Sequence, residues 1–231
     1  MAKECSHRHR TRKRIIISRR LCALARATVF LLFTSAVGVE AGETRLDRFL
    51  DGLDTLSAGF EQTLLSEFDE ELEASSGNVY IQRPGRFQWT YREPYSQLII
   101  SDGATLWIYD EDLEQVTIKD AVHSIDDSPA AILGGDVRID EHYVVLELGE
   151  TDGVAWLELT PRNIDSEYSS VRLGFRENEL AGMILFDNLG QKTQITFQDV
   201  RRNRRLDGGL FEFQPPKGVD VIDSRQPGSA P

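Results

Sequence analysis

The spacing of apolar positions divides the chain into stretches of different character. Ala27 to Val37 (ATVFLLFTSAV) is a short unbroken apolar run. Beyond it Leu46, Phe49, Leu50, Leu53 and Leu56 recur at helical spacing between charged residues, which predicts a helix of about three turns. After that the period changes to two and stays there. Alternating segments are predicted as strands through Phe60 to Leu65, Val79 to Ile81, Phe87 to Tyr91, Gln97 to Ile100, Thr105 to Tyr109 and Gln115 to Ile118. His142 to Leu148, Val154 to Leu159, Ser170 to Phe175, Ala181 to Phe186, Thr193 to Gln198 and Phe211 to Phe213 continue the series. Pro-Gly, Glu-Pro, Asp-Gly and acidic turns separate them. The one other helical signal is Ser128-Pro129-Ala130-Ala131-Ile132-Leu133, with Ser128 placed to cap and Pro129 at the first helical position, ending at Gly134-Gly135. The pattern predicts a mainly β chain with a few short helices. About eleven strands in one meandering antiparallel sheet would curl toward a barrel.

Charge alters the picture at the N-terminus. The 231 residues carry a net charge of −12, but residues 1–41 hold nine basic side chains against Glu4 and Glu40. The remaining 190 residues are therefore strongly acidic, a poor match for nucleic acid or anionic lipid. The basic stretch followed by Ala27 to Val37 has the layout of a signal peptide, with Val39-Glu40-Ala41 as its cleavage site. Residues 1–41 are expected to be removed, so that the exported chain begins near Gly42. An uncleaved anchor is the alternative, disfavoured because Arg26 interrupts the apolar stretch and leaves it too short to span a bilayer. Cys5 and Cys22 both fall in the segment to be lost, which excludes disulfides and thiolate nucleophiles in the exported form, and Arg19, Arg20 and Leu21 ahead of Cys22 do not make a lipid-attachment site. The tail 224–231 is expected to fray.

Candidate chemistry is sparse. His123 and His142 are the two histidines of the exported chain and stand far apart in sequence, and the chain has no nucleophile elbow, Gly-rich phosphate loop or His-Glu-x-x-His pair. Asp110, Asp112 and Glu114 alternate like the start of a calcium loop. That loop fails, because Gln115 stands where its glycine is required and Ala121 where its last glutamate is required. Glu67 to Glu73 reads as a solvated hairpin end. Arg201, Arg202, Arg204 and Arg205 form a basic knot in an acidic protein, read as a solvated turn with a docking patch as the alternative. Phe87, Trp89 and Tyr91 share one face of their strand, opposite Arg86, Gln88 and Thr90.

A series of motifs then stands out in order: Arg83-Pro84-Gly85-Arg86-Phe87-Gln88-Trp89, Ser101-Asp102-Gly103-Ala104-Thr105-Leu106-Trp107-Ile108-Tyr109-Asp110, Asp187-Asn188-Leu189-Gly190, and Phe211-Glu212-Phe213-Gln214-Pro215-Pro216-Lys217-Gly218-Val219-Asp220. From about Leu46 to Asp223 the chain closely resembles the periplasmic outer-membrane lipoprotein carrier family, LolA. The resemblance implies an unclosed antiparallel β-barrel with a helical lid over an apolar cavity, formed by residues 42–223. It implies a periplasmic chaperone that is not an enzyme, works without cofactors or metal, and acts as a monomer. Its cargo would be acylated lipoproteins, its donor the inner-membrane ABC transporter complex LolCDE, and its acceptor the outer-membrane receptor lipoprotein LolB. A lipid-binding module of the same fold, acting as receptor or on another lipid cargo, is the alternative. By the same resemblance Arg83 latches the lid, Phe87 and Trp89 line the cavity with Tyr91 on their face, and Trp107 and Tyr109 belong to the other aromatic strand of the cavity. Leu46, Phe49, Leu50 and Leu53 would form the underside of one lid helix, and Ile132 and Leu133 that of the second.

Overall fold

The computed structural model describes residues 44–121, 129–134 and 139–225. The signal segment, His123, Ser128 and the end of the tail lie outside the described residues. Twelve strands form one sheet: β1 (Thr55–Leu65), β2 (Glu71–Gln82), β3 (Arg86–Glu93), β4 (Gln97–Asp102), β5 (Thr105–Asp110), β6 (Gln115–Asp120), β7 (Tyr143–Thr151), β8 (Val154–Pro161), β9 (Tyr168–Arg176), β10 (Glu179–Asp187), β11 (Lys192–Arg202) and β12 (Asp220–Asp223). Their order across the sheet is β12-β6-β5-β4-β3-β2-β1-β11-β10-β9-β8-β7. Two meanders, β1 to β6 and β7 to β11, are joined where β1 pairs with β11. Every pairing is antiparallel except β12 on β6. The sheet ends at β7 and at β12, which do not pair with each other, so the barrel is unclosed.

Period two sorts each strand into an inner and an outer face. Leu56, Phe60, Val79, Ile81, Phe87, Trp89, Leu106, Leu157, Leu173, Met183 and Ile195 belong to one continuous buried cluster on the inner face. Three short helices adjoin it: α1 (Arg45–Leu50), α2 (Pro129–Gly134) and α3 (Ile139–His142). Their buried residues Leu46, Phe49, Ile132, Leu133 and Ile139 join the same cluster.

Two expectations need correction. The first helix is six residues long and not three turns, because the chain extends at Thr55 and Leu56 lies in β1, on the inner face. The segment Phe211 to Phe213 is no strand: a 3-10 turn (Gly208–Phe211) leads into an irregular run containing Pro215 and Pro216. The last strand comes later, at Asp220–Asp223, and its parallel pairing with β6 carries the C-terminal segment back over the outer face.

Candidate functional site: the lidded inner face

Two of the motifs meet in space. The turn between β2 and β3 holds Arg83-Pro84-Gly85, and the turn between β4 and β5 holds Asp102-Gly103-Ala104. Buried Ser101 donates its hydroxyl to the Gly85 carbonyl at 2.8 Å and accepts the Gly103 amide at 3.1 Å. Gly85 (φ +75°) sits so close to Gly103 that a Cβ there would lie 3.2 Å from the Gly103 Cα. Two glycines are therefore needed for the turns to nest. Asp102 closes its own turn by accepting the amides of Ala104 and Thr105, each at 2.8 Å. The nested turns hold the lid directly, since the Gly85 amide donates to the Gly134 carbonyl at the end of α2, at 2.8 Å. Arg83 lies half-buried beside this contact, its amide tied to the Asp54 carbonyl at 2.9 Å.

α1 enters through a capping box in which Thr44 and Asp47 satisfy each other's amides. A six-residue helix is unstable alone, so packing holds it. Leu46 and Phe49 are buried, with the Phe49 ring 5.3 Å from that of Phe175 on β9. Leu50 is half-buried; Leu53 is buried too, but it lies past the helix end in the turn before β1, which corrects its expected place on the lid helix. Ile132 and Leu133 of α2 are buried as well.

Beneath the lid runs an aromatic row. Phe87 and Trp89 are buried on the inner face of β3, and the Trp89 ring lies 4.6 Å from Phe60 and 6.2 Å from Phe197. The Phe60 ring lies over Gly77 of the neighbouring strand, where a Cβ would come within 2.8 Å of it. Tyr91 ends the row at 5.2 Å from Phe60, and its hydroxyl meets the Gln62 side-chain oxygen at 3.1 Å. Burial pushes the Tyr91 hydroxyl well above the ordinary phenol range, with Tyr168 adding to the rise and Gln62 opposing it. Past Tyr91 the inner face turns polar, opening in a hollow of about 250 Å³ lined by Gln62, Glu73, Ser75, Glu93 and Asp110.

Trp107 and Tyr109 do not join this row. Ile99 pairs with Ile108 and Ser101 with Leu106, so the inner-face residues of β5 are Leu106 and Ile108. The two aromatics point to the outer face and pack against Phe213 of the C-terminal segment, at 6.2 and 5.8 Å. The expectation that they line the cavity strand is corrected: the motif is an outer-face clasp. Its signal was present, because Phe213 belongs to the last motif of the series.

The basic knot also reads differently in three dimensions. Arg202 is half-buried on the inner face and donates to the Phe49 carbonyl at the end of α1, at 2.7 Å, with its guanidinium 5.0 Å from the Phe49 ring centre. Arg201, Arg204 and Arg205 are exposed, as expected of a solvated turn. Among the described residues no group of three or more His, Cys, Asp or Glu side chains could hold a metal ion. His142 is exposed at the end of α3.

Fold and site together define a class of protein: an unclosed antiparallel β-shell whose apolar inner face is closed by short helices. The family model of the outer membrane lipoprotein carrier protein LolA matches residues 51–214, and the chain belongs to that family. Proteins called outer-membrane lipoprotein carrier protein are similar to it along most of its length. That of Chromobacterium violaceum is 44% identical over 178 residues, 77% of this chain and 85% of the relative. That of Methylococcus capsulatus is 40% identical over 183 residues, 79% of this chain and 88% of the relative. A Neisseria meningitidis relative is 38% identical over 84% of this chain and 93% of its own. Among solved structures, a LolA-superfamily protein of Nitrosomonas europaea aligns over 73% of this chain and 96% of its own at 16% identity, with a TM-score of 0.44.

Proposed function

We propose that this chain is a periplasmic carrier that takes the acyl chains of lipoproteins released from the inner membrane and delivers them to an outer-membrane receptor. The observation that carries this reading is an apolar, aromatic-rich inner face closed by two short helices, in a chain of the lipoprotein carrier family. The physical task fits that design. Burying a methylene is worth about 0.8 kcal/mol, so leaving one long acyl chain in water costs on the order of 10 kcal/mol. The carrier must hide the chain and still release it. The inner face is filled by its own side chains and the lid, so cargo enters as α1 and α2 lift away from Phe49's neighbours and from Ile81.

In this reading residues 1–41 direct export and are removed. The donor is the LolCDE transporter, the acceptor is LolB, and the carrier works as a monomer. Phe87, Trp89 and Tyr91 meet the acyl chains, while Arg83 and its turn latch α2. Transfer breaks no covalent bond, so the protein is not an enzyme. Incubating the exported form with an acylated lipoprotein tests this directly. Mass spectrometry should recover a complex with the cargo unchanged, whereas hydrolysed or deacylated cargo would refute the carrier reading.

A further inference from the structure

The end of β11 carries a contact that the motif series does not include. Its pairing with β1 shifts register between Ser57 and Gly59, opposite Asp199, whose φ is +50°. That bulge reverses the alternation of β11. Phe197 pairs with Phe60 on the inner face, and strict period two would send Arg202 outward, yet Arg202 pairs with inner-facing Leu56. The guanidinium thereby reaches the C-terminal end of α1. Its Nη2 donates to the Phe49 carbonyl at 2.7 Å and approaches the Asp51 carbonyl at 3.5 Å, and its Cζ lies 5.0 Å from the Phe49 ring centre. These carbonyls sit at the negative end of the helix, where a cation is favoured. The next residue completes the hold. Asn203, at φ +55°, donates from its amide to the Gly52 carbonyl at 2.8 Å and accepts the Asp54 amide at 2.9 Å.

We propose that Arg202 is a positioning residue for the lid, a second fastening that holds α1 as the Arg83–Gly85 turn holds α2, so that the two halves of the lid open separately. This rests on the carrier reading for its purpose, but not for its geometry. The two fastenings grip different helices, the Gly85 amide meeting Gly134 of α2 at one and Arg202 meeting Phe49 of α1 at the other, and they meet only at Asp54, whose carbonyl takes the Arg83 amide and whose amide reaches Asn203. Arg202 is also incompletely satisfied. Its Nε is buried and makes no hydrogen bond to the described residues.

Hydrogen exchange of the exported protein without cargo tests the proposal. The amides of Asp51 and Leu53, bonded to the Asp47 and Leu50 carbonyls, report on α1, and the Gly85 amide reports on α2. Arg202→Met should speed exchange at Asp51 and Leu53 about ten-fold or more while leaving Gly85 within about two-fold of wild type. Arg202→Lys should fall between the two, since it keeps the cation and loses the planar fork. Arg204→Gln, at an exposed member of the same cluster, should change neither. A fluorescent hydrophobic probe should also bind Arg202→Met faster than wild type. Unchanged exchange at Asp51 and Leu53, or equal loosening at Gly85, would overturn the proposal. If Arg202→Met does not fold, the same readings from Arg202→Lys decide. Failure of the wild type to carry a lipoprotein would refute the carrier reading and leave the exchange result to judge Arg202.

Discussion

The same sheet carries two aromatic clusters on opposite faces, and they are covered in opposite ways. On the inner face Phe60, Trp89, Tyr91 and Phe197 lie in the cluster that the lid helices complete, each lid helix six residues or fewer and too short to be stable alone. On the outer face Trp107 and Tyr109 are covered by Phe213, and buried Phe211 lies close by with Arg86 6.0 Å from its ring centre. That cover is a continuous segment of chain, pinned beyond by the pairing of β12 with β6. Both clusters bury aromatic surface, and only one has a cover joined by a few hydrogen bonds at its edge. On the proposed carrier reading, the face with the loosely fastened cover is the one that takes cargo.

Substitutions on the two faces should have different effects. The largest effect is expected from Phe87→Glu, which forces a carboxylate into the buried inner face at a cost of several kcal/mol. A fluorescent hydrophobic probe should lose at least about ten-fold in affinity for the protein that remains folded. Phe211→Ala, in the outer cluster, should lower unfolding stability by about 3 kcal/mol and leave probe affinity unchanged, as read by denaturant melts beside probe titration. Arg83→Leu should lower stability less. In a reconstituted two-step assay it should load normally but unload about ten-fold more slowly, because on the proposed carrier reading Arg83 favours release by holding the lid closed.

The smallest effect is expected from Tyr91→Phe, and it depends on pH. The Tyr91 hydroxyl is raised by burial, so above the ordinary phenol value of about 10 the unfolded chain has lost this proton and the folded chain still holds it. Its contribution is intact below about pH 10, and stability then falls as pH rises above that value. Alkaline thermal melts should show a shallower decline for Tyr91→Phe than for wild type.

The β meander and its inner face were legible because period two and turn chemistry are local. The parity of Phe87, Trp89 and Tyr91 placed them together without any knowledge of the rest of the sheet. What was not legible depends on contacts distant in sequence. Leu56 keeps helical spacing with Leu53, yet its pairing with Arg202 and Ile81 fixes it in a strand. Trp107 and Tyr109 differ from Leu106 and Ile108 by one step of parity, and both faces of β5 are apolar, so only the partner strand and Phe213 decide which way they point. Arg202 was hidden twice, by exposed arginines around it and by a bulge that reverses its face.

On the proposed carrier reading, cargo acyl chains enter against the inner face under the lid and never against the outer one. This is tested most directly by placing a photo-crosslinking phenylalanine analogue at Phe87 in one variant and at Trp107 in another, loading each with an acylated lipoprotein, and irradiating. A covalent adduct to the acylated end of the lipoprotein is expected from position 87 and none from position 107. An adduct from position 107 with none from position 87 would contradict it.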